Sequence, residues 1–267
     1  MNNNIRPKKS LGQNFLTSES ALQKIVDSAD IKRNELVLEV GPGKGALTQK
    51  ILEKGGKIVA IEKDDRLIPF LNERFKKDIE NGNLIIKNED ILDFPTQKSC
   101  FDEEKYKIVA NIPYYITGHF IKKFLTIGNK PEKMIILIQK EVAERIVAKD
   151  GKESILSMSV KAYGLPKFID TVKKGSFFPS PKVDSAILSI DLFGQEISKF
   201  KNKEEEVRFF EILHAGFGQK RKMILGNLEN VFESKERTLD AVGKCNIDPK
   251  KRAEVLKLED WICLSKK

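Results

Sequence analysis

Hydrophobic positions along this chain follow two different rhythms. Up to about residue 190, short continuous apolar runs alternate with segments whose apolar residues recur at helical spacing. The runs at 35–40, 57–61, 83–87, 106–110 and 133–139 predict strands buried on both faces. Amphipathic stretches at 18–29, 45–54, 65–76, 117–126 and 140–148 predict helices around and between them. Strands alternating with helices imply an α/β fold, a parallel sheet with helices on both faces. Two more strands are expected at 168–172 and 183–190, closing one sheet edge as a hairpin around Phe177-Phe178-Pro179-Ser180-Pro181. After about residue 192 the strand signal stops. Segments 203–215, 220–231, 235–243 and 250–263 have helical spacing, punctuated by Gly216, Gly218, Gly226 and Pro249. The expected organisation is an α/β domain at 1–194 and a small all-helical domain at 195–267. Pro69 is compatible with the 65–76 helix only in or near its first turn, where few backbone donors have partners to lose.

Two strand ends carry chemistry. Leu36-Val37-Leu38-Glu39-Val40 opens into Gly41-Pro42-Gly43-Lys44-Gly45 just before a predicted helix. Glycines let the backbone turn tightly and approach a ligand. The spacing is G-x-G-x-G with Ala46 next, close to the dinucleotide fingerprint but not identical to it. Glu62, at the end of the second strand, can accept the ribose hydroxyls of an adenosine, which argues against a 2′-phosphate. Asp90, after the third strand, can accept from an adenine amino group. No phosphate-binding Lys-Ser/Thr pair follows the loop, so adenosylmethionine fits better than ATP.

The second strand end is Asn111-Ile112-Pro113-Tyr114. Asn111 supplies an amide oxygen, and Pro113 keeps Ile112 extended so that its carbonyl can point into a pocket. Two such oxygens can hold both hydrogens of an exocyclic amine and turn the nitrogen lone pair toward a methyl donor. Alignment of this kind contributes on the order of 7–11 kcal/mol in favourable cases, so a strong general base is unnecessary. Tyr114, and Phe177 from the Phe-x-Pro-x-Pro loop, could stack on the base at roughly 1–3 kcal/mol each. A plain strand-terminating turn is the competing reading, disfavoured by the glycine loop upstream.

Composition narrows the partner. The 267 residues are 40% hydrophobic and 33% charged, enough to bury a core, and the net charge is +9. A sequence pI near 9.2 favours a polyanion, nucleic acid first. The positive charge is spread along the chain, with local clusters at Lys8-Lys9, Lys122-Lys123, Lys173-Lys174, Lys220-Arg221-Lys222 and Lys250-Lys251-Arg252. Cys100, Cys245 and Cys263 are odd in number and widely spaced, so neither a disulfide framework nor a zinc cluster is expected. With only His119 and His214 besides, no metal is expected. No apolar run approaches membrane-spanning length and the N-terminus lacks a signal-peptide core, which leads to an expected cytoplasmic setting with no membrane partner.

Five stretches in order resemble the rRNA adenine N6-dimethyltransferase family, most closely the KsgA type that acts on small-subunit rRNA. They are Lys9-Ser10-Leu11-Gly12-Gln13-Asn14-Phe15-Leu16, Glu39 to Gly45, Glu62, Asn111 to Thr117, and Phe177 to Ala186, with a weaker echo at Gly216 to Lys222. The resemblance implies a Rossmann-like class I methyltransferase sheet. It implies S-adenosyl-L-methionine held by Asn14, Leu16, Gly41, Glu62, Asp90 and Asn111, with Gly43 in the same loop. It implies Asn111, Pro113, Tyr114 and Phe177 at the reacting base. The implied substrate is two adjacent adenines in a hairpin near the 3′ end of small-subunit rRNA, each methylated twice, in a partly assembled subunit. Lys220, Arg221 and Lys222 are the expected RNA contacts, and the chain is read as a monomer. Tyr115-Ile116-Thr117 and the run Pro181 to Ala186 lean away from the macrolide-resistance relatives that methylate large-subunit rRNA. A non-catalytic ribosome assembly factor is a further alternative, disfavoured by intact Glu39, Glu62 and Asn111. Ser154-Ile155-Leu156 departs from the Tyr-Gly pair usual near this position.

Overall fold

The computed structural model describes residues 5–94, 105–194 and 199–267. Cys100 lies outside them. The first part alternates as the apolar rhythm requires. A two-residue strand β1 (Phe15–Leu16) is followed by α1 (Glu19–Ala29), β2 (Leu36–Val40), α2 (Ala46–Glu53) and β3 (Lys57–Glu62). Next come α3 (Ile68–Arg74), α4 (Lys76–Glu80), β4 (Leu84–Asn88), β5 (Tyr106–Asn111), α5 (Thr117–Thr126), β6 (Lys133–Gln139) and α6 (Lys140–Val147). Seven strands form one sheet in the order β4-β3-β2-β5-β6-β9-β7, with β7 (Gly164–Val172) and β9 (Ser185–Leu192) at one edge. The first five positions pair in parallel, and β9 runs antiparallel to β6. In β2, β5 and β6 nearly every residue is buried, because helices cover both faces and no alternation with solvent is possible.

Local chemistry explains the boundaries. Ser18 caps α1 by accepting from the Ala21 N–H. Pro69 does fall in the first turn of α3. The helix expected at 65–76 is nevertheless broken: a single 3-10 turn covers Asp65–Leu67, and Phe75 leaves helical geometry between α3 and α4. Phe75 is itself buried beneath the glycine loop, so packing overrides helical continuity there. The hairpin at the sheet edge is longer than expected. Its connection carries a second short strand, β8 (Phe177–Phe178), which pairs antiparallel with β1.

One helix has no counterpart in the sequence-based expectation. It is α7 (Ile155–Tyr163), opened by a capping box in which Ser154 and Ser157 cap each other's backbone. Serine takes the place usually held by Glu or Gln, which hid the signal. The remaining helices are α8 (Lys203–Gly216), α9 (Ile224–Phe232), α10 (Lys235–Lys244) and α11 (Leu258–Leu264). The helix expected over 250–263 is confined to α11, since Ala253–Val255 makes one 3-10 turn and Leu256 is extended. Cys245 and Cys263 form a disulfide, against expectation. Eighteen residues separate them, so only folding brings the ends of α10 and α11 together.

The chain divides into two compact units: Met1–Ala143 with Lys167–Leu192, and Glu144–Pro166 with Phe193–Lys267. The core of the second unit is built on Phe209, Ile212, Leu213, Ile224, Leu228 and Trp261, all fully buried. Among the described residues no helix is long and apolar enough to cross a membrane.

Candidate active site

The carboxyl ends of β2, β3, β4 and β5 open into one cleft of about 180 Å³, where ligands bind in open α/β sheets. Residues 11–15, ahead of and within β1, form another of its walls.

Gly41 has φ +71° and donates its N–H to the Ile61 carbonyl at 3.0 Å. A Cβ there would lie 2.9 Å from the main-chain oxygen of Asn111, so the glycine loop and the second strand end are packed against each other. Gly43 donates its N–H to Glu62 Oε2 at 3.1 Å, and Asp64 donates its N–H to Glu62 Oε1 at 2.8 Å. Each Glu62 oxygen has therefore taken one donor and keeps a second acceptor direction. Burial pushes the Glu62 carboxyl pKa up, against the lowering effect of the Asp64 and Gly43 N–H groups. Two acceptors beside a glycine loop with no Cβ in the way fit the ribose edge of an adenosine.

Asp64 links this loop to the segment before β1. Arg66 binds it through two nitrogens, at 2.8 and 2.6 Å, and this guanidinium holds the carboxyl down at about 2. Gln13 Nε2 donates to the same carboxylate at 2.8 Å, and Gln13 Oε1 accepts from the Lys8 N–H at 2.7 Å. Across the cleft, burial works against the Asp90 anion, but Lys63 at 2.5 Å and the Leu92 N–H at 2.9 Å hold its pKa below the usual range. The loop that carries Asp90 is fastened from below. Lys123 Nζ, on α5, donates to the carbonyls of Ile91, Leu92 and Phe94 at 2.9, 2.8 and 2.7 Å.

Asn111 ends β5. Its Nδ2 makes a long bond, 3.4 Å, to the Asn14 carbonyl, and Asn14 Nδ2 in turn donates to the Gly12 carbonyl at 3.1 Å. No hydrogen bond to Asn111 Oδ1 is present among the described residues, and Asn111 lines the cleft. Ile112, Pro113 and Tyr114 continue that wall. The Tyr114 hydroxyl lies 2.6 Å from Ser185 Oγ, which fixes the ring, and burial raises its pKa.

The cleft thus brings together Asn14, Gly41, Gly43, Glu62, Asp90, Asn111, Pro113 and Tyr114. Leu16 and Phe177 stand apart. They are register partners in the β1–β8 ribbon, and both side chains are buried in the core rather than facing the cleft. Any contact from Leu16 falls to its main chain. The ring expected to stack from the Phe-x-Pro-x-Pro loop is turned inward because alternate residues of a strand point to opposite faces. Lys220, Arg221 and Lys222 belong to the second unit and are exposed. They lie in the turn between α8 and α9, not on the helix expected over 220–231. Sequence reasoning overlooked Gln13, Phe15, Lys63 and Tyr115 as wall residues. Gln13 and Phe15 flank Asn14 in a segment where apolar spacing predicts no element.

One buried acid behind the cleft is unusual. Glu39 is wholly buried, and among the described residues neither carboxylate oxygen has a hydrogen-bond partner. Burial pushes its pKa up to about 8; Thr48 lies beside it and favours the ion without completing a bond, and Glu62 adds repulsion.

The profile of the family described as Ribosomal RNA adenine dimethylase matches residues 4–267. The chain belongs to the ribosomal RNA adenine dimethylase family. A "Ribosomal RNA small subunit methyltransferase A" of Dehalococcoides mccartyi (strain CBDB1) is 42% identical to it, covering 97% of this chain and 88% of that protein. The protein of the same name from Mycoplasma mycoides is 35% identical, covering 97% of both. Among solved structures, a dimethyladenosine transferase from Plasmodium falciparum matches with TM-score 0.79 and 27% identity, covering 94% of this chain and 95% of that one. The 23S rRNA methyltransferase ErmE matches with TM-score 0.77 over 95% and 98%, but at 23% identity it shows the fold alone. The α/β sheet with its glycine loop is therefore the methyltransferase sheet of an adenine dimethylase.

Proposed function

We propose that the chain transfers methyl groups from S-adenosyl-L-methionine to the N6 amines of two adjacent adenines in small-subunit rRNA, within an incompletely assembled subunit. The observation that carries this reading is the Asn111 amide. Its nitrogen is tied to Asn14, so its oxygen is the group left for a ligand, at the end of the strand packed directly against the glycine loop. Glu62 would hold the ribose, Asp90 the adenine amino group of the cofactor, and the Gly41–Gly43 loop the backbone approach. When bound, the cofactor supplies a methyl group on a positively charged sulfur. Asn111 Oδ1 and the Ile112 carbonyl accept the two hydrogens of the target amine and orient its lone pair. The Tyr114 ring, held by Ser185, stacks on the extruded base and offsets part of the few kcal/mol that unstacking costs. The relatives named for the small subunit, at 35–42% identity over nearly the whole chain, favour that rRNA over the large-subunit one. In the second unit, exposed Lys220, Arg221 and Lys222 would contact phosphates.

The test uses labelled adenosylmethionine and immature small subunits. The wild-type protein should place two methyl groups on each of two neighbouring adenines. Asn111→Ala should still bind the cofactor, while transfer falls about 100-fold or more, the scale of loss caused by misplacing a reacting group. Transfer by Asn111→Ala within a few-fold of wild type would overturn the assignment.

A further inference from the structure

Two aromatic rings beside the cleft are left in solvent. Tyr115 is 62% exposed and Phe178 is 63% exposed, the largest values among the exposed large hydrophobic residues. Neither position is required by the sheet or the core. Tyr115 forms part of the cleft wall, and its ring lies against Gly12, where a Cβ would come within 3.3 Å of Tyr115 Cε1. Phe178 belongs to the strand paired with this segment. In the antiparallel β1–β8 ribbon it is the register partner of Phe15. Directly opposed residues share a face, with Cβ atoms about 4.5–5.5 Å apart. Phe15 is a cleft-wall residue, and a Cβ on Gly43 would be 3.0 Å from its ring. The pleat that sends Leu16 and Phe177 into the core therefore puts Phe178 on the opposite face of the ribbon, the face that carries Phe15, and leaves its ring uncovered.

The charge around these rings selects the occupant. Lys9, Lys174 and Lys182 are exposed on the segments that carry or flank the ribbon, and none makes an ion pair among the described residues. Exposed aromatics interleaved with unpaired cations suit single-stranded nucleic acid, whose bases stack while its phosphates are neutralised. A protein partner suits them less, because lysine is depleted at protein interfaces.

We infer that Phe178 and Tyr115 stack on the nucleotides that flank the target adenine, with Lys9, Lys174 and Lys182 contacting the adjoining phosphates. This rests on the rRNA-adenine reading and adds a specificity surface that extends from the cleft wall at Tyr115 onto the β1–β8 ribbon. Because the target adenines are adjacent, a neighbour held on Phe178 stays unstacked from the base in the cleft, which keeps the strand open for the next transfer.

The experiment uses the full chain and an RNA hairpin carrying fluorescent 2-aminopurine next to the target adenine, together with methylation of immature small subunits. Wild-type protein should quench the 2-aminopurine on binding. Phe178→Ser should lose most of that quenching and raise KM for RNA about tenfold, within the range of one stacked base. Its kcat, its Kd for the cofactor and its Tm should stay near wild type, and Phe178→Trp should restore both KM and quenching. The double variant Lys174→Gln, Lys182→Gln, which leaves the core untouched, should lower the slope of log affinity against log salt by about 1.4. Phe178→Ser that quenches and methylates like wild type, or an unchanged salt slope, would overturn the inference. Wild-type protein that quenches without methylating would instead overturn the proposed reaction and leave the stacking surface standing.

Discussion

Gly41→Ala isolates the contact between the two strand ends. Two costs arise in the structure. First, φ at residue 41 is +71°, in the left-handed region, where an alanine costs roughly 1–2 kcal/mol. Second, the new Cβ would lie 2.9 Å from the main-chain oxygen of Asn111, where ordinary contact begins at 3.4 Å. The neighbour is backbone in a fully packed sheet: Val40 and Ala110 are register partners, so the two strand ends run side by side. Relief must come from displacing the Asn111–Ile112 peptide by about half an ångström. Both oxygens assigned to the target amine move with it. The expected outcome is a fall in kcat of about 100-fold at saturating cofactor. The backbone strain should lower Tm by about 2–8 °C for units of this size. Gly82→Ala is the control. Gly82 has φ +73°, but a Cβ there meets nothing within 4 Å, so it carries the backbone cost without the contact. Radiolabel incorporation at saturating adenosylmethionine, with thermal melts of both variants, separates the terms. If Gly41→Ala matched Gly82→Ala in both stability and turnover, the geometric coupling between cofactor loop and acceptor strand would be refuted.

How much of this was readable beforehand depends on the range of the interactions. The five parallel strands match their expected ranges within about a residue at each end; a strand buried on both faces writes itself as an unbroken apolar run, such as Ile108-Val109-Ala110, while β4 keeps its apolar run although Ile85 is exposed. Glu62, Asp90 and Asn111 followed directly, since the architecture places strand carboxyl ends at a common crevice. Failures occurred where distant packing decides. Phe75 breaks a helix that its local sequence supports, because it fills the space under Gly45. Phe177 and Phe178 are indistinguishable by composition. Which of them is buried and which is exposed is fixed by pairing with Phe15 and Leu16, over 150 residues away in sequence, and a slip of one residue would exchange their faces. Lys123 left no motif because its partners are main-chain carbonyls at 91, 92 and 94. The pairing of Cys245 with Cys263 likewise depends on where α10 and α11 end, not on their spacing.

Two further outcomes test structural roles, of Lys123 and of buried Glu39, that the sequence did not reveal. Lys123→Met removes the donor that three carbonyls share, so the Asp90 loop should loosen. Cofactor Kd measured by calorimetry should rise about 10- to 150-fold, the equivalent of the roughly 1.5–3 kcal/mol typical of a hydrogen bond to a charged group. An unchanged Kd would show that the loop holds its shape without the lysine. Glu39 provides a pH signature. Its carboxyl titrates near 8 in the fold against an ordinary 4.5, so between those values the native state retains a proton that the unfolded chain has released. The stability tied to that proton is fully present below pH 4.5 and is lost as pH rises through about 8, a span worth roughly 5 kcal/mol at about 1.4 kcal/mol per unit. Glu39→Gln abolishes the titration while keeping the shape of the side chain. Urea unfolding from pH 5 to 8.5 should therefore show the wild-type curve falling toward and below that of the variant as pH rises. Parallel curves across that range would mean that Glu39 is ionised throughout and has a partner that offsets its burial.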